Sequence, residues 1–81
     1  MTAQDYYQQH QRSFRCAFDF LNSNFPPGEE IEWWEQVTRE ASKASAEQKD
    51  NKLTMELLGG VMNYLEYEWK RRRQEHGEAE H

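Results

Sequence analysis

The chain has a single cysteine, Cys16, so it can form no intramolecular disulfide. This removes the usual support of a small secreted domain. Proline is confined to the pair Pro26-Pro27, which leaves long segments on either side free to be helical. No stretch approaches the roughly 20 apolar residues that a membrane-spanning helix needs. No N-terminal segment joins basic residues to an apolar run in the manner of a signal peptide, so a cytoplasmic, non-membrane protein is the expectation. The three histidines, His10, His76 and His81, are scattered with no i,i+4 pair, and Cys16 has no CxxC partner, so no metal-ligand set emerges. No glycine-rich loop opens a helix after a strand. The carboxylates are placed on outward positions, where burial would not raise their pKa. The chain is therefore read as non-enzymatic and without a cofactor.

Aliphatic residues are also in short supply. Leu, Ile, Val and Phe together make 12 of 81 residues, below the roughly 20% at which disorder becomes a concern in a highly charged chain. The net charge of −5 is modest, however, and three Trp, four Tyr and three Met add to the large apolar set. Aromatic side chains bury about 150–250 Å² each, so a few of them can carry a small core. The expectation is one folded domain over residues 1–76 with a flexible tail at 77–81. It lies near the lower size limit for folding without staples and stands to gain from self-association.

Three helical segments can be read from the spacing. The first, about 3–24, opens with Thr2 and Asp5 as a variant capping box. Tyr7, His10, Phe14, Phe18 and Leu21 then recur on one face, with Ala17, Cys16 and Phe20 widening it; this is the expected core face, with His10 half-buried in it. Asn22 to Gly28 (Asn-Ser-Asn-Phe-Pro-Pro-Gly) is a stop, because each Pro denies the α region to the residue before it. Phe25 is expected to fold back onto the core. The second helix, about 30–45, has Glu29, Glu30, Glu32 and Glu35 near its positive end and an inward face of Ile31, Trp34, Val37, Ala41 and Ala44. The third, about 51–74, is capped by Asp50 or Asn51 and turns Leu53, Leu57, Leu58, Val61, Tyr64 and Leu65 inward. Glu66 with Lys70 and Glu68 with Arg72 have i,i+4 spacing, and Gly77 is read as the end of order. The fold class is all-α, a three-helix up-down-up bundle.

Four features invite a functional reading, each beside a structural one. Gly59-Gly60 in mid-helix costs roughly 0.5–1 kcal/mol per glycine against alanine. The pair is read as close packing against a bulky side chain such as Trp33 or Trp34, or else as a kink or the approach of a partner helix. Trp33 and Trp34 diverge by about 100°, so one belongs to the core and the other, Trp33, is a contact candidate. Met55, Met62 and Trp69 form a heptad-spaced flank that is either a dimer seam or the cover of a second helix in the same bundle. Lys70-Arg71-Arg72-Arg73 is a basic cluster, but it sits at a helix C-terminus where cations complement the dipole, among Glu66, Glu68 and Glu75. The acidic residues of helix two, Glu40 included, are either a solvated face or a surface for a basic partner.

Phe14 to Leu21 (Phe-Arg-Cys-Ala-Phe-Asp-Phe-Leu), Pro26-Pro27, Trp33-Trp34, Leu57-Leu58, Asn63 to Glu66 (Asn-Tyr-Leu-Glu) and Trp69-Lys70 together resemble a family of small, uncharacterised helical proteins. Their genes lie on bacterial mobile elements and prophages. The resemblance covers most of the chain but is carried by core and connector residues. It implies a bacterial accessory protein and transfers no functional residue. Two roles follow as expectations. The first is a protein–protein interaction module, homodimeric in one form, working through Trp33, Met55, Met62 and Trp69. The second is a nucleic-acid-linked role, through Lys70 to Arg73 or through inhibition of a nucleic-acid-binding protein by the acidic face.

Overall fold

A computed structural model describes the backbone of residues 1–49 and 51–79, and the side chains of 1–49 and 51–75. It contains helices α1 (Ala3–Asn24), α2 (Ile31–Glu47) and α3 (Lys52–Ala79), all three in mutual contact as an up-down-up bundle. No strand occurs among the described residues.

The helix ends follow from local chemistry. Thr2 Oγ1 accepts the Asp5 backbone N–H at 3.2 Å while Asp5 Oδ2 accepts the Thr2 N–H at 3.0 Å, a reciprocal capping box. The Thr2 backbone N–H and then its hydroxyl hold the Asp5 carboxyl below its usual pKa. Asn24 closes α1 by donating Nδ2 to the Phe20 carbonyl at 2.9 Å, and the Phe25–Pro26 peptide is cis. Lys49 takes a positive φ of 55° between α2 and α3. Asn51 caps α3, its Oδ1 accepting the Thr54 N–H at 3.2 Å; the alternative cap, Asp50, lies outside the described residues. Gly77 does not end α3, which runs on to Ala79. A single glycine costs a helix only about 1 kcal/mol, and glutamate and alanine around it are good helix formers. Residues 80–81 lie outside the description.

The core is small: Phe20, Val37, Leu58 and Leu65, with Cys16, Leu21, Trp33, Trp34, Ala41, Ala44, Val61 and Met62 packed around them. It differs from the expected core on each helix, and Tyr64 and Phe25, expected inside, are 45% and 41% exposed. On α1 the buried residues are Ser13, Ala17, Phe20 and Asn24, while Tyr7, His10, Phe14 and Phe18 face outward. The reason is close approach: serine and alanine let α1 lie near its neighbours, so the face of small residues turns in. His10 stands outside against Tyr6, ring centroids 6.2 Å apart. On α2, Ile31 is exposed, because it sits at the first helical position beyond the edge of the core. On α3, Glu68 is a buried carboxylate and pairs with Arg71 at 2.8 Å rather than with Arg72. Arg72 instead lies over the Phe25 ring, 6.0 Å from its centroid.

The glycine pair also departs from expectation. A Cβ placed on Gly59 or Gly60 meets nothing within 4 Å, so neither glycine receives a tryptophan. The close-packed glycine is Gly28, where a Cβ would come within 2.8 Å of Trp33. Gly59→Ala and Gly60→Ala are therefore expected to stabilise the isolated bundle by about 0.5–1 kcal/mol each. Urea titration of the two variants checks this, and a loss of stability in either would show that its backbone needs the glycine.

The molecule is elongated, 59 × 18 × 16 Å, with a radius of gyration of 15.3 Å against about 12 Å for a compact domain of this length. Its accessible surface of 6062 Å² exceeds the roughly 5,200 Å² typical of a monomer of this mass. Part of the excess is α1 itself. Ser13 lies level with Thr54, near the start of α3, so the α1 residues Ala3 to Gln8 run past that end of the bundle and are exposed throughout.

Candidate interaction surface

The sequence expectation placed a contact surface on Trp33, Met55, Met62 and Trp69. The structure does not bring these residues together as a surface. Trp69 is only 6% exposed and stacks on Trp34 with the ring planes 4° from parallel and the centroids 5.5 Å apart. Met62 packs against the core, and so do both Trp33 and Trp34. The flank covers α2 within the bundle, and of its members Met55 alone is exposed. The reason lies in helical phase: Met62 and Trp69 stand on the side of α3 that α2 occupies.

The exposed apolar surface is on α1. Tyr7 is 61% exposed, Phe14 59% and Phe18 61%. With Gln11 and Leu21 they fall at steps of four, three, four and three residues, the spacing of a heptad seam, and Phe25 follows at the extended C-cap. The depression around Phe14 and Phe18 is lined by α1 residues alone, namely Gln11, Arg12, Phe14, Arg15 and Phe18. No other helix covers it.

A second stripe runs beside it. On α3, Leu53, Leu57, Gly60 and Tyr64 recur at steps of four, three and four; Leu53 and Leu57 are half-buried, Gly60 and Tyr64 exposed. The two stripes meet where Phe25 stacks on Tyr64 at 6.1 Å with 11° between planes and where Leu21, Phe25 and Tyr64 line one small hollow. Their axial alignment is fixed at the other end by Ser13. Its hydroxyl accepts from Thr54 Oγ1 at 2.8 Å and donates to Asn51 Oδ1 at 3.4 Å. Helices α1 and α3 are thus parallel and present a shallow double ridge, with Arg12 and Arg15 beside Phe14 and Phe18.

The basic cluster is occupied internally. Lys70 pairs with Glu66 at 3.0 Å, Arg71 with Glu68 and Glu75 at 2.8 Å each. Arg72 covers Phe25, and Arg73 lies 4.9 Å from the Trp69 ring centroid. The cations serve the helix and its aromatic cluster.

A polar groove of about 430 Å³ lies between α1 and α2, lined among others by Arg12, Cys16, Asp19, Glu40 and Glu47. Burial, then the charges of Glu47 and Asp19, push the Cys16 thiol above its ordinary pKa. Thiolate is the reactive form, so Cys16 is expected to alkylate with iodoacetamide several-fold more slowly than free glutathione at pH 8. An equal or faster rate, followed by mass spectrometry, would assign reactivity to this groove. No group of three or more metal-ligating side chains occurs among the described residues, and no described helix is long and apolar enough to cross a membrane.

Nothing in the sequence pointed to the α1 ridge as a surface, because its phenylalanines were the strongest apolar signal in the helix. The available clue was the serine, alanine and asparagine spacing of Ser13, Ala17 and Asn24. Against models of known families, characterised proteins and solved structures, the chain shows no match.

Proposed function

We propose that this chain is a binding module that acts by docking its α1 ridge onto a protein partner, with no chemistry of its own. The observation that carries this reading is the exposure of Tyr7, Phe14 and Phe18 at heptad spacing on a helix whose small-residue face is already packed. Large aromatics left in water on one continuous stripe are costly in solubility and valuable at an interface core. The net charge of −5 argues for a protein partner over nucleic acid, whose binding rests on phosphate neutralisation.

The test is photocrosslinking in the cells that make the protein. A benzophenone side chain replaces Phe18, and in a control it replaces Ser42, which lies exposed on α2. A discrete adduct at position 18, absent at position 42 and lost when Phe14→Glu is added, is the expected result. No adduct at position 18, or equal adducts at both positions, would overturn the reading.

A further inference from the structure

We infer that α3 carries a hinge at Gly59-Gly60, which lets its C-terminal half swing against its N-terminal half while the core stays closed. This is independent of the docking role proposed above. Two adjacent glycines weaken a helix interior, and glycine pairs are among the recognised sites of sharp helix bends. Close packing does not call for them, since a Cβ on either meets nothing within 4 Å. Backbone conformation does not call for them, since neither has a positive φ. What remains is the freedom that a missing side chain gives the chain.

Their placement suits a hinge. At about 100° per residue, Gly59 and Gly60 stand roughly 120° and 140° to either side of Leu65, so they straddle the face opposite the core. By the i to i−4 pattern of an α-helix, their amides bond the carbonyls of Met55 and Glu56, and their carbonyls accept from Asn63 and Tyr64. All six residues are exposed. These hydrogen bonds lie on the water side, where water replaces them as they lengthen. On the inner side Leu58 and Leu65 are buried in one cluster with Phe20 and Val37, and Val61 and Met62 pack against it. A bend that opens the outer bonds and pivots on these residues uncovers little apolar surface.

The two halves of α3 are fastened to different parts of the bundle. The N-terminal half is keyed to α1, where Thr54 donates to Ser13 at 2.8 Å and Ser13 to Asn51 at 3.4 Å. The C-terminal half is held by aromatic contacts to α2 and to the α1–α2 connector. There Trp69 stacks on Trp34, Tyr64 stacks on Phe25 and Arg72 lies over Phe25. The glycine pair falls between the two sets of fastenings. Leu53 and Leu57 ride with one half and Tyr64 with the other, so the α3 stripe is continuous only while the helix is straight.

Native-state amide exchange on the full chain, followed by NMR, tests the hinge. After correction for intrinsic rates, the amides of Gly59, Gly60, Asn63 and Tyr64 are expected to exchange at least about tenfold faster than those of Leu58 and Leu65. Their rates should barely change in low urea, because a local opening exposes little surface. Gly59→Ala combined with Gly60→Ala should slow exchange at these four positions by about 5- to 30-fold. Spin labels on Lys52→Cys and Lys70→Cys, about 27 Å apart on the outer face, report the bend itself in a Cys16→Ser background. The wild-type glycine pair is expected to give a broader distance distribution than the alanine pair. Equal protection from 58 to 65 with one urea dependence, or equally narrow distributions in both proteins, would overturn the inference. If the alanine form failed to fold, the comparison of wild-type amides would decide it alone.

Discussion

Leu65→Ala is expected to cost about 3 kcal/mol, the largest loss from any single aliphatic truncation in this chain. Leu65 is fully buried within the cluster of Phe20, Val37 and Leu58. Removing its isopropyl end forfeits the transfer energy of the lost carbons and leaves a cavity, together about 2–5 kcal/mol in well-packed cores. A domain of this length has roughly 4–12 kcal/mol of total stability, and a core with so few buried side chains belongs at the lower end. A shift of the urea midpoint to less than half its wild-type value, at fixed protein concentration, is the expected reading. Fixed concentration matters because self-association adds to apparent stability by mass action. A loss below about 1 kcal/mol would mean that the helices collapse freely onto the gap and that the core is not close-packed.

The second large effect is a contrast between two aromatics. Trp69→Ala is expected to cost about 3–5 kcal/mol, while Phe14→Ala, measured on monomeric protein, should stay within about 0.5 kcal/mol of wild type. Trp69 is buried, stacks on Trp34 and carries Arg73 on its ring; its truncation unmakes the joint between α2 and α3. The indole Nε1 finds no hydrogen-bond partner among the described residues. Trp69→Phe, which keeps a ring and removes the buried N–H, should therefore cost much less than the alanine variant. Phe14 is 59% exposed and lies outside the core cluster, so its removal should cost the monomer little. If Phe14→Ala destabilised the monomer as much as Trp69→Ala, the assigned faces of α1 would be wrong.

These two residues also show where sequence reading succeeds and fails. Helix limits were legible because they are written in local chemistry: Thr2 with Asp5, the proline pair, and the asparagine that caps α3. Each acts within four residues and needs no knowledge of the fold. Facing is different. Hydrophobic periodicity on α1 weighs side chains by size, and Phe14 and Phe18 outweigh Ser13 and Ala17. Which face turns inward was decided by how near the helices could come, and that depends on the partner helix as much as on α1. On α3 the same limit left Trp69 between a seam and the cover of a second helix, since one helix alone cannot say whether a flank meets water, a neighbour or another copy. The glycine pair misled for a related reason: a helix-interior glycine implies proximity only if something is near, and here nothing lies within 4 Å of either added Cβ.

The buried hydroxyls of Ser13 and Thr54 have a consequence for the uniqueness of the fold. Two parallel helices joined mainly by small and apolar groups could slip by one turn, about 5.4 Å, with little change in buried oil. The hydroxyl pair has only one seat. A slip of that size parts Ser13 from Thr54 and from Asn51, and leaves buried hydroxyls without partners at roughly 1–3 kcal/mol each. The pair thus works as a detent: it adds little to the depth of the native state but forbids the neighbouring notches. Any partner reading the ridges of α1 and α3 depends on that setting, since the two stripes form one surface only when the helices stand at this index.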